Sequence, residues 1–155
     1  MKRDAYISTC GSYRYTLRRV WDQRLPTVLF IGLNPSIADA EVDDPTLTRC
    51  INFAKAWRCG GLLMGNLFAY RATDPKQLNR VSNPVGPDND MWLARLRSGV
   101  ELAVAAWGYR GTLYDRAAAV AERMGELHCL GTTRTGAPRH PLYVRAIAAP
   151  VAWTA

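Results

Sequence analysis

Two asparagines and one histidine are the residues of this sequence whose types and positions could do chemistry. Asn34 follows the apolar run 27–31, Asn66 lies inside a second apolar run over residues 62–68, and His140 lies in a late basic loop. An amide side chain offers both a hydrogen-bond donor and an acceptor, so it can discriminate between polar ligands. An imidazole N–H is a donor that can stabilise negative charge developing in a reaction.

Each of these positions also has a structural interpretation. Asn34 and Pro35 are common residues of strand-ending turns, so the pair could do no more than turn the chain. Asn66 could form a structural hydrogen bond, because a buried amide without a partner costs about 1–3 kcal/mol. Asp44 precedes a proline, which favours a helix N-cap over a catalytic carboxylate. His128, the other histidine, lies in a strand-like segment and is expected to be structural.

Apolar runs and turn signals predict strands that alternate with helices. Short apolar runs bounded by turns are typical of buried strands, and Asp-Pro pairs are typical of helix starts. Strands are expected near residues 27–31, 62–68, 101–106 and 127–130. Helices are expected at 46–57, 88–97 and 113–124, and segments 5–10 and 13–20 are expected to pair as an opening hairpin.

This alternation predicts an α/β fold with a four-stranded, mainly parallel central sheet and an N-terminal hairpin, in a single domain spanning residues 1–155. Ligands of such sheets bind beyond the carboxyl ends of the strands. The segments at that edge are residues 32–46, 66–75, 107–112 and 131–141. Because Asn34, Asn66 and His140 belong to three of these segments, we expect them to line one pocket.

The charge of the chain bears on its partners. The net charge is +7, and only Lys2, Lys55 and Lys76 among the 20 basic residues are lysines. The planar guanidinium of arginine suits phosphate groups, so nucleic acid is an expected partner. No apolar run approaches the roughly 18 residues of a membrane span, and the first residues lack the apolar core of a signal peptide. We therefore expect a cytoplasmic protein without a membrane partner.

Neither a metal nor an organic cofactor is indicated by the sequence. Its four cysteines form no Cys-x-x-Cys pair, so we expect free thiols and no metal site. A P-loop and a Gly-x-Gly-x-x-Gly motif are both missing from the sequence. We expect a domain that works without a cofactor.

Several strings of this sequence resemble one uncharacterised bacterial and phage family, called domain of unknown function sixteen forty-three. The strings are Gly32-Leu33-Asn34-Pro35-Ser36, Asp43-Asp44-Pro45-Thr46, residues 66–75, Pro84-Val85-Gly86-Pro87-Asp88-Asn89-Asp90 and Pro138-Arg139-His140-Pro141-Leu142-Tyr143. The resemblance covers nearly the whole chain. It implies no established activity.

A second resemblance rests on short motifs in matching order. A strand that ends in Gly-x-Asn-Pro, a second strand with an asparagine near its end, and a late His-Pro loop are similar to the uracil-DNA glycosylase superfamily. This resemblance implies a three-layer fold around a four-stranded parallel sheet. It also implies that Asn34 orients an attacking water, that Asn66 reads the Watson–Crick edge of a flipped base, and that His140 stabilises the leaving base as an anion.

The expected site includes further residues around these three. Asp44 joins Asn34 and His140 as the candidate catalytic carboxylate. A flipped base needs an apolar and aromatic wall, and the expected base-binding residues are Gly32, Leu33, Pro35, Ser36, Asn66, Phe68, Tyr70 and Trp107. The residues expected to grip phosphates as a basic rim are Arg71, Arg134 and Arg139. The expected partner is DNA, and the expected oligomeric state is a monomer.

Three departures from the glycosylase pattern keep other functions open. Ser36 stands where many glycosylases of this pattern have glycine, and Leu142 stands where the family usually has serine. Asn34 is a neutral amide that cannot act as a base near pH 7. One alternative is a non-enzymatic reader of nucleic acid or modified bases on the same fold. The other is an enzyme acting on a small nucleotide or another phosphate metabolite.

Overall fold

One seven-stranded sheet organises the chain, and a computed structural model describes all 155 residues. The strands are β1 (Lys2–Ile7), β2 (Arg14–Val20), β3 (Thr27–Gly32), β4 (Gly61–Asn66), β5 (Leu102–Ala105), β6 (Leu127–Cys129) and β7 (Val151–Trp153). Their spatial order is β1-β2-β4-β3-β5-β6-β7. The central strands β4, β3, β5 and β6 run parallel, whereas β1, β2 and β7 pair antiparallel with their neighbours.

Helices join the parallel strands. The α-helices are α1 (Pro45–Ala56), α2 (Asn89–Ser98) and α3 (Arg116–Met124), and 3-10 helices span Pro75–Arg80, Tyr109–Asp115 and Pro141–Tyr143. Asp44 caps α1, because its carboxylate accepts a hydrogen bond from Leu47 N–H at 2.8 Å. None of the helices has both the length and the apolar character that crossing a membrane would require.

Two apolar cores lie on opposite faces of the sheet and give the molecule three layers. On β3, Val28 and Phe30 pack into the core that contains the buried side chains of α1. The alternating residues Leu29 and Ile31 pack into the core that contains those of α2 and α3. All four side chains are fully buried. Burial on both faces explains why this strand forms an unbroken apolar run in the sequence.

The α/β class, the helices near 46–57 and 88–97 and the parallel arrangement of the four predicted strands are confirmed. The prediction of a four-stranded sheet is wrong, because the sheet is mixed and has seven strands. The N-terminal hairpin belongs to this sheet, since Leu17 of β2 pairs with Met64 of β4 and Val20 pairs with Gly61. β7 adds a further edge beside β6, and its three residues are too short to give a strand pattern in the sequence.

Helix α3 begins later than the apolar pattern predicts. The pattern starts at Leu113, but the helix begins at Arg116. Leu113 and Tyr114 have non-helical backbone angles, and Tyr114 has a φ of 54°, which interrupts the helical geometry. The apolar side chain of Leu113 still packs at the edge of the core, which explains its place in the pattern.

A β-bulge in β2 interrupts the alternation of its side chains. Tyr6 of β1 pairs with Thr16 and Ile7 pairs with Arg14, so Tyr15 is an extra residue without a partner. Residues three positions apart on a regular strand point to opposite faces of the sheet. Across this bulge, Arg14 and Leu17 instead line the same cavity.

Candidate ligand-binding cavity

A cavity of about 550 Å³ opens at the carboxyl edge of the parallel strands. Its walls come from the segment after β3, the end of β4, the segment after β5 and the loop after β6, together with the start of β2 and of α1. Ligand sites of parallel α/β sheets lie at this edge, and the volume is that of a small-molecule site.

The structure brings most of the expected site residues to this cavity. The expected residues that line it are Gly32, Leu33, Asn34, Pro35, Ser36, Asp44, Asn66, Trp107, Arg139 and His140. The expected residues outside its lining are Phe68, Tyr70, Arg71 and Arg134. The cavity therefore joins the three chemical positions, Asn34, Asn66 and His140, but not the whole expected base wall or basic rim.

The side-chain amide nitrogen of Asn34 forms hydrogen bonds within the protein. Nδ2 donates hydrogen bonds to Ala72 O at 2.8 Å and to Pro35 O at 3.0 Å. Because both amide protons are taken, Oδ1 is the polar atom that Asn34 can offer to a ligand. Asn34 can accept a hydrogen bond from a bound water or a ligand donor, but a neutral amide oxygen cannot remove a proton near pH 7.

Asn66, in contrast to Asn34, has an unused hydrogen-bond donor. The residue is 2% exposed, and its buried Nδ2 has no hydrogen-bond partner in the protein. Its main chain is fixed, because Asn66 pairs with Gly32 in the parallel ladder and its carbonyl accepts from Asn89 Nδ2 at 2.9 Å. The residue is therefore fixed at the cavity wall by its backbone, and its buried side-chain amide has an unused donor.

His140 is held as a neutral donor. Its Nδ1 accepts a hydrogen bond from Leu142 N–H at 3.2 Å, so the neutral ring carries its proton on Nε2. Burial lowers the pKa of His140 below its ordinary value, and the negative charge of Asp44 opposes that shift. The neutral form is thus favoured at physiological pH, with Nε2–H as the donor that the cavity wall can use.

The carboxylates near Asn34 are both engaged by the protein. Asp43 accepts from Arg19 Nη2 at 2.9 Å and from Arg3 Nη1 at 3.1 Å, which makes it an anchor of the loop. Asp44 uses Oδ1 to cap α1, yet it also lines the cavity. Asp44 therefore combines the structural role with a position from which its charge acts on the site.

Two arginines that the sequence did not predict as site residues line the cavity. Arg14 lies at the start of β2 and is 3% exposed, and Arg110 lies in the segment after β5. In the sequence, Arg14 is one of many dispersed arginines, and only the bulge at Tyr15 directs it to the site. Arg110 lies in the segment 107–112 that follows a predicted strand, and this position in the sequence is a signal from which it could have been selected as a site residue.

The aromatic wall differs from the expected one. Phe68 is fully buried in the core, and Tyr70 packs against that core and against Tyr13, whose ring centroid lies 6.1 Å away. Buried Trp107 does line the cavity, and the exposed residues Tyr109 and Tyr143 stand at its opening. The Tyr143 ring lies 5.6 Å from the His140 ring, so the aromatic surface is concentrated at the His140 side.

The expected basic rim is reduced to one of its three members. Arg139 lines the cavity and is exposed, with its Nε donating to Thr132 O at 3.1 Å. Arg71 turns toward the loop before β2, where its guanidinium meets Gly11 O at 3.5 Å, and Arg134 is exposed outside the cavity. No three His, Cys, Asp or Glu side chains converge in a way that could hold a metal ion.

The fold and the cavity define a three-layer α/β domain with a candidate ligand cavity at the carboxyl edge of its parallel strands. The model of a family described as "Protein of unknown function (DUF1643)" matches residues 14–142, and the chain belongs to this family. That range begins at Arg14 and includes all the expected site residues, so the family resemblance seen in the motifs is confirmed. No curated protein and no solved structure gives a significant match.

Proposed function

We propose that the cavity binds a nucleobase, in a domain that works in the manner of the uracil-DNA glycosylases. The observation that carries the proposal is the buried Nδ2 of Asn66, which has no partner in the protein and belongs to a residue of the cavity wall. A buried donor left unpaired costs about 1–3 kcal/mol, which a ligand acceptor would recover. The edge of a nucleobase carries acceptors and donors that an amide can match.

Hydrolysis of an N-glycosidic bond is the reaction that the neighbouring groups support. The bond from C1′ to the base nitrogen breaks and its electron pair moves onto the base, while the water oxygen forms a bond to C1′. In this proposal His140 Nε2–H donates to the base as negative charge grows on it, and Asn34 Oδ1 positions the water. The proton released by the water finally neutralises the departing base.

A non-enzymatic base reader is the second candidate, and one observation favours it. Asp43 is held by two arginines, Asp44 caps α1 through Oδ1, and Asn34 is neutral. Such a site offers little basicity for activating water. A reader would use the same amide of Asn66 for recognition and would leave the glycosidic bond intact.

DNA is the proposed source of the base, and a monomer is the proposed acting unit. Arg139 is exposed at the cavity and Arg110 is half-buried there, so both stand where a phosphate backbone would pass. If they neutralise phosphates, the logarithm of the binding constant should fall with the logarithm of salt concentration by about 0.9 per phosphate on duplex DNA. Charge reversal at Arg139 should then reduce that slope by about one phosphate.

Base release from defined oligonucleotides tests the proposal. The substrates are oligonucleotides that carry uracil, hypoxanthine, or an oxidised or hypermodified pyrimidine, and the proteins are the wild type, His140→Ala and Asn34→Asp. Loss of a donor aimed at developing charge typically reduces the rate by roughly 10²–10³-fold, so His140→Ala should nearly abolish turnover. Asn34→Asp should lower the rate, because it replaces the two hydrogen bonds that Nδ2 donates to Pro35 O and Ala72 O with repulsion between oxygen atoms. His128→Gln, at the other histidine, is the matched control.

The outcomes separate the candidates. Base release that depends on His140 but not on His128 supports the glycosylase. Binding of the same DNA without base release by the wild type replaces it with the reader. An Asn66→Leu protein that binds every base as tightly as the wild type would overturn the nucleobase proposal in both forms.

A further inference from the structure

Arg14 is a buried cation without a counter-ion. Its side chain donates through Nη1 to Ala38 O at 2.9 Å, while its buried Nε has no partner. No carboxylate forms a salt bridge with it. Since the residue is 3% exposed and lines the cavity, the space in front of it belongs to the ligand site.

The other two buried arginines, Arg19 and Arg116, each have a carboxylate counter-ion. Arg19 donates to Asp43 at 2.9 Å, and Arg116 Nη2 lies 2.7 Å from Asp90 Oδ1. Each has a carboxylate partner, as buried charges in proteins usually do. Arg14 is the exception, and it is also the one of the three that lines the cavity.

The charges around Arg14 leave it cationic. Burial lowers its pKa to about 10, Asp44 and Asp39 oppose that shift, and the positive charges of Arg71 and Arg19 add to it. A pKa of about 10 keeps the guanidinium protonated at neutral pH. Asp44 is the carboxylate with the largest influence, but its Oδ1 is occupied by the cap of α1.

We propose that Arg14 binds a phosphomonoester of the ligand, so that the substrate class of the cavity is a nucleotide with a terminal phosphate. Guanidinium and phosphate form charge-assisted hydrogen bonds in pairs, and the unused Nε of Arg14 is one donor of such a pair. The hydroxyl groups of Ser36 and Thr73 line the same cavity and add donors for phosphate oxygens. The inference rests on the proposed function for binding of the base at Asn66, and it replaces duplex DNA as the source of that base by a free nucleotide or the 5′ end of a strand.

Burial decides between a terminal and an internal phosphate. An internal phosphodiester carries a nucleotide on both sides, and both would have to enter the cavity to reach a side chain that is 3% exposed. A terminal phosphate enters with one nucleotide, and a cavity of about 550 Å³ accommodates a ligand of that size. The terminal phosphate can belong to a free mononucleotide or to the 5′ end of a strand.

Calorimetric titration of wild-type protein with matched ligands tests the inference. The ligands are the common deoxyribonucleosides, their 5′-monophosphates, inorganic phosphate, and single-stranded oligonucleotides with and without a 5′-phosphate. We expect one nucleoside monophosphate to bind roughly 10- to 100-fold more tightly than its nucleoside, as for a charge-assisted hydrogen bond made in a buried site. A preference of the phosphorylated oligonucleotide over the mononucleotide would identify a strand end as the source.

The variant Arg14→Met should remove that preference, whereas Arg14→Lys should keep part of it. Arg18→Met is the matched control, because Arg18 lies on the same strand and is exposed, with only a 3.7 Å ion pair to Asp4. Thermal unfolding provides a second readout. If Arg14 serves the ligand, Arg14→Met should leave the melting temperature of the free protein unchanged or raise it, because an uncompensated buried charge is removed.

Equal affinity of the wild type for a nucleoside and its monophosphate, or a preference that survives Arg14→Met, overturns the inference and leaves the nucleobase proposal standing. Binding of inorganic phosphate that depends on Arg14, with no dependence of nucleotide affinity on the base, supports the phosphate site and overturns the nucleobase proposal. A lower melting temperature for Arg14→Met, with unchanged ligand affinities, assigns Arg14 a structural role and overturns the inference.

Discussion

The side-chain amide of Asn66 lies directly against the backbone of Gly32. A Cβ atom added at position 32 would meet Asn66 Oδ1 at 2.9 Å, which is closer than side chains approach one another in folded proteins. The backbone of Gly32 does not have a positive φ, so space is the reason that this position needs glycine.

Gly32→Ala should therefore displace the Asn66 side chain. Overpacking of a rigid site typically costs about 1–3 kcal/mol, and we expect a loss of stability in that range together with a weaker affinity for nucleobase ligands. Chemical denaturation and calorimetric titration measure the two effects. Gly99→Ala is the control, because a Cβ there meets its nearest neighbour at an ordinary 3.6 Å. Wild-type affinity in the Gly32→Ala variant would show that the Asn66 amide does not contact the ligand.

The burial of His140 makes stability depend on pH. The pKa of His140 is lowered in the folded protein, so the unfolded chain binds the proton more readily. Stability contributed by the neutral ring is complete above the unfolded pKa of about 6.5, and it is lost as pH falls from that value through the folded pKa.

His140→Asn should flatten this pH dependence, because an asparagine oxygen can accept from Leu142 N–H and does not titrate. The measurement is urea denaturation of both proteins between about pH 5 and about pH 8. The difference in unfolding free energy between wild type and variant should change with pH in the acidic half of that range. A difference that stays constant over the whole range would show that His140 has the same pKa in both states.

Arg19 should hold the loop between β3 and α1 in place. Its side chain is fully buried and donates to the carbonyls of Asp39 and Val42 and to the carboxylate of Asp43. Arg19→Met removes a fully buried donor from the Asp39 and Val42 carbonyls and from the partly exposed Asp43 carboxylate, for which we expect a loss of about 1–3 kcal/mol. Denaturant unfolding checks the value. Arg24→Met, at an exposed ion pair with Asp22, should change stability little, and an equal loss in both variants would contradict the assignment.

The four cysteines should differ sharply in reactivity. Cys10 is exposed, and hydrogen bonds from Ser8 and from Ser12 lower its pKa to about 7. Burial raises the pKa of Cys50, Cys59 and Cys129, so their thiols stay protonated near neutral pH. A chromogenic disulfide reagent should modify one thiol quickly in the native protein and all four after unfolding. Cys10→Ser should eliminate the fast phase, and a remaining fast phase would show that a buried thiol is accessible.

The sequence predicts the central strands and the sheet edge at which the cavity opens, because both depend on local patterns. The run from Val28 to Ile31 is apolar at every position, which indicates burial on both faces. Asp44 before Pro45 marks the start of α1. Asn34 and Asn66 lie at or just beyond strand ends and His140 lies in the loop after β6, and the strand ends of a parallel sheet meet at one edge.

The features that the sequence interpretation misses depend on contacts between distant residues. β2 pairs with β4 at one side of the parallel strands, and β7 pairs with β6 at the other. No local sequence pattern determines which edge of the sheet each of these strands joins. Arg14 faces the site because a bulge shifts its register with β1, and Phe68 leaves the site because its side chain points into the core. Spacing along the chain predicts which loops meet, whereas side-chain direction within a loop follows from packing.

The walls of the cavity come from residues as far apart as Arg14 and Tyr143, so no short fragment of the chain contains them together. The pocket forms only when long-range strand pairings are complete, and these are the slow, late events in folding. A bound ligand would therefore act on the lifetime of the native state and would scarcely change the refolding rate. At a ligand concentration of about 100 times Kd, the native state would gain about 2.7 kcal/mol, seen as slower unfolding.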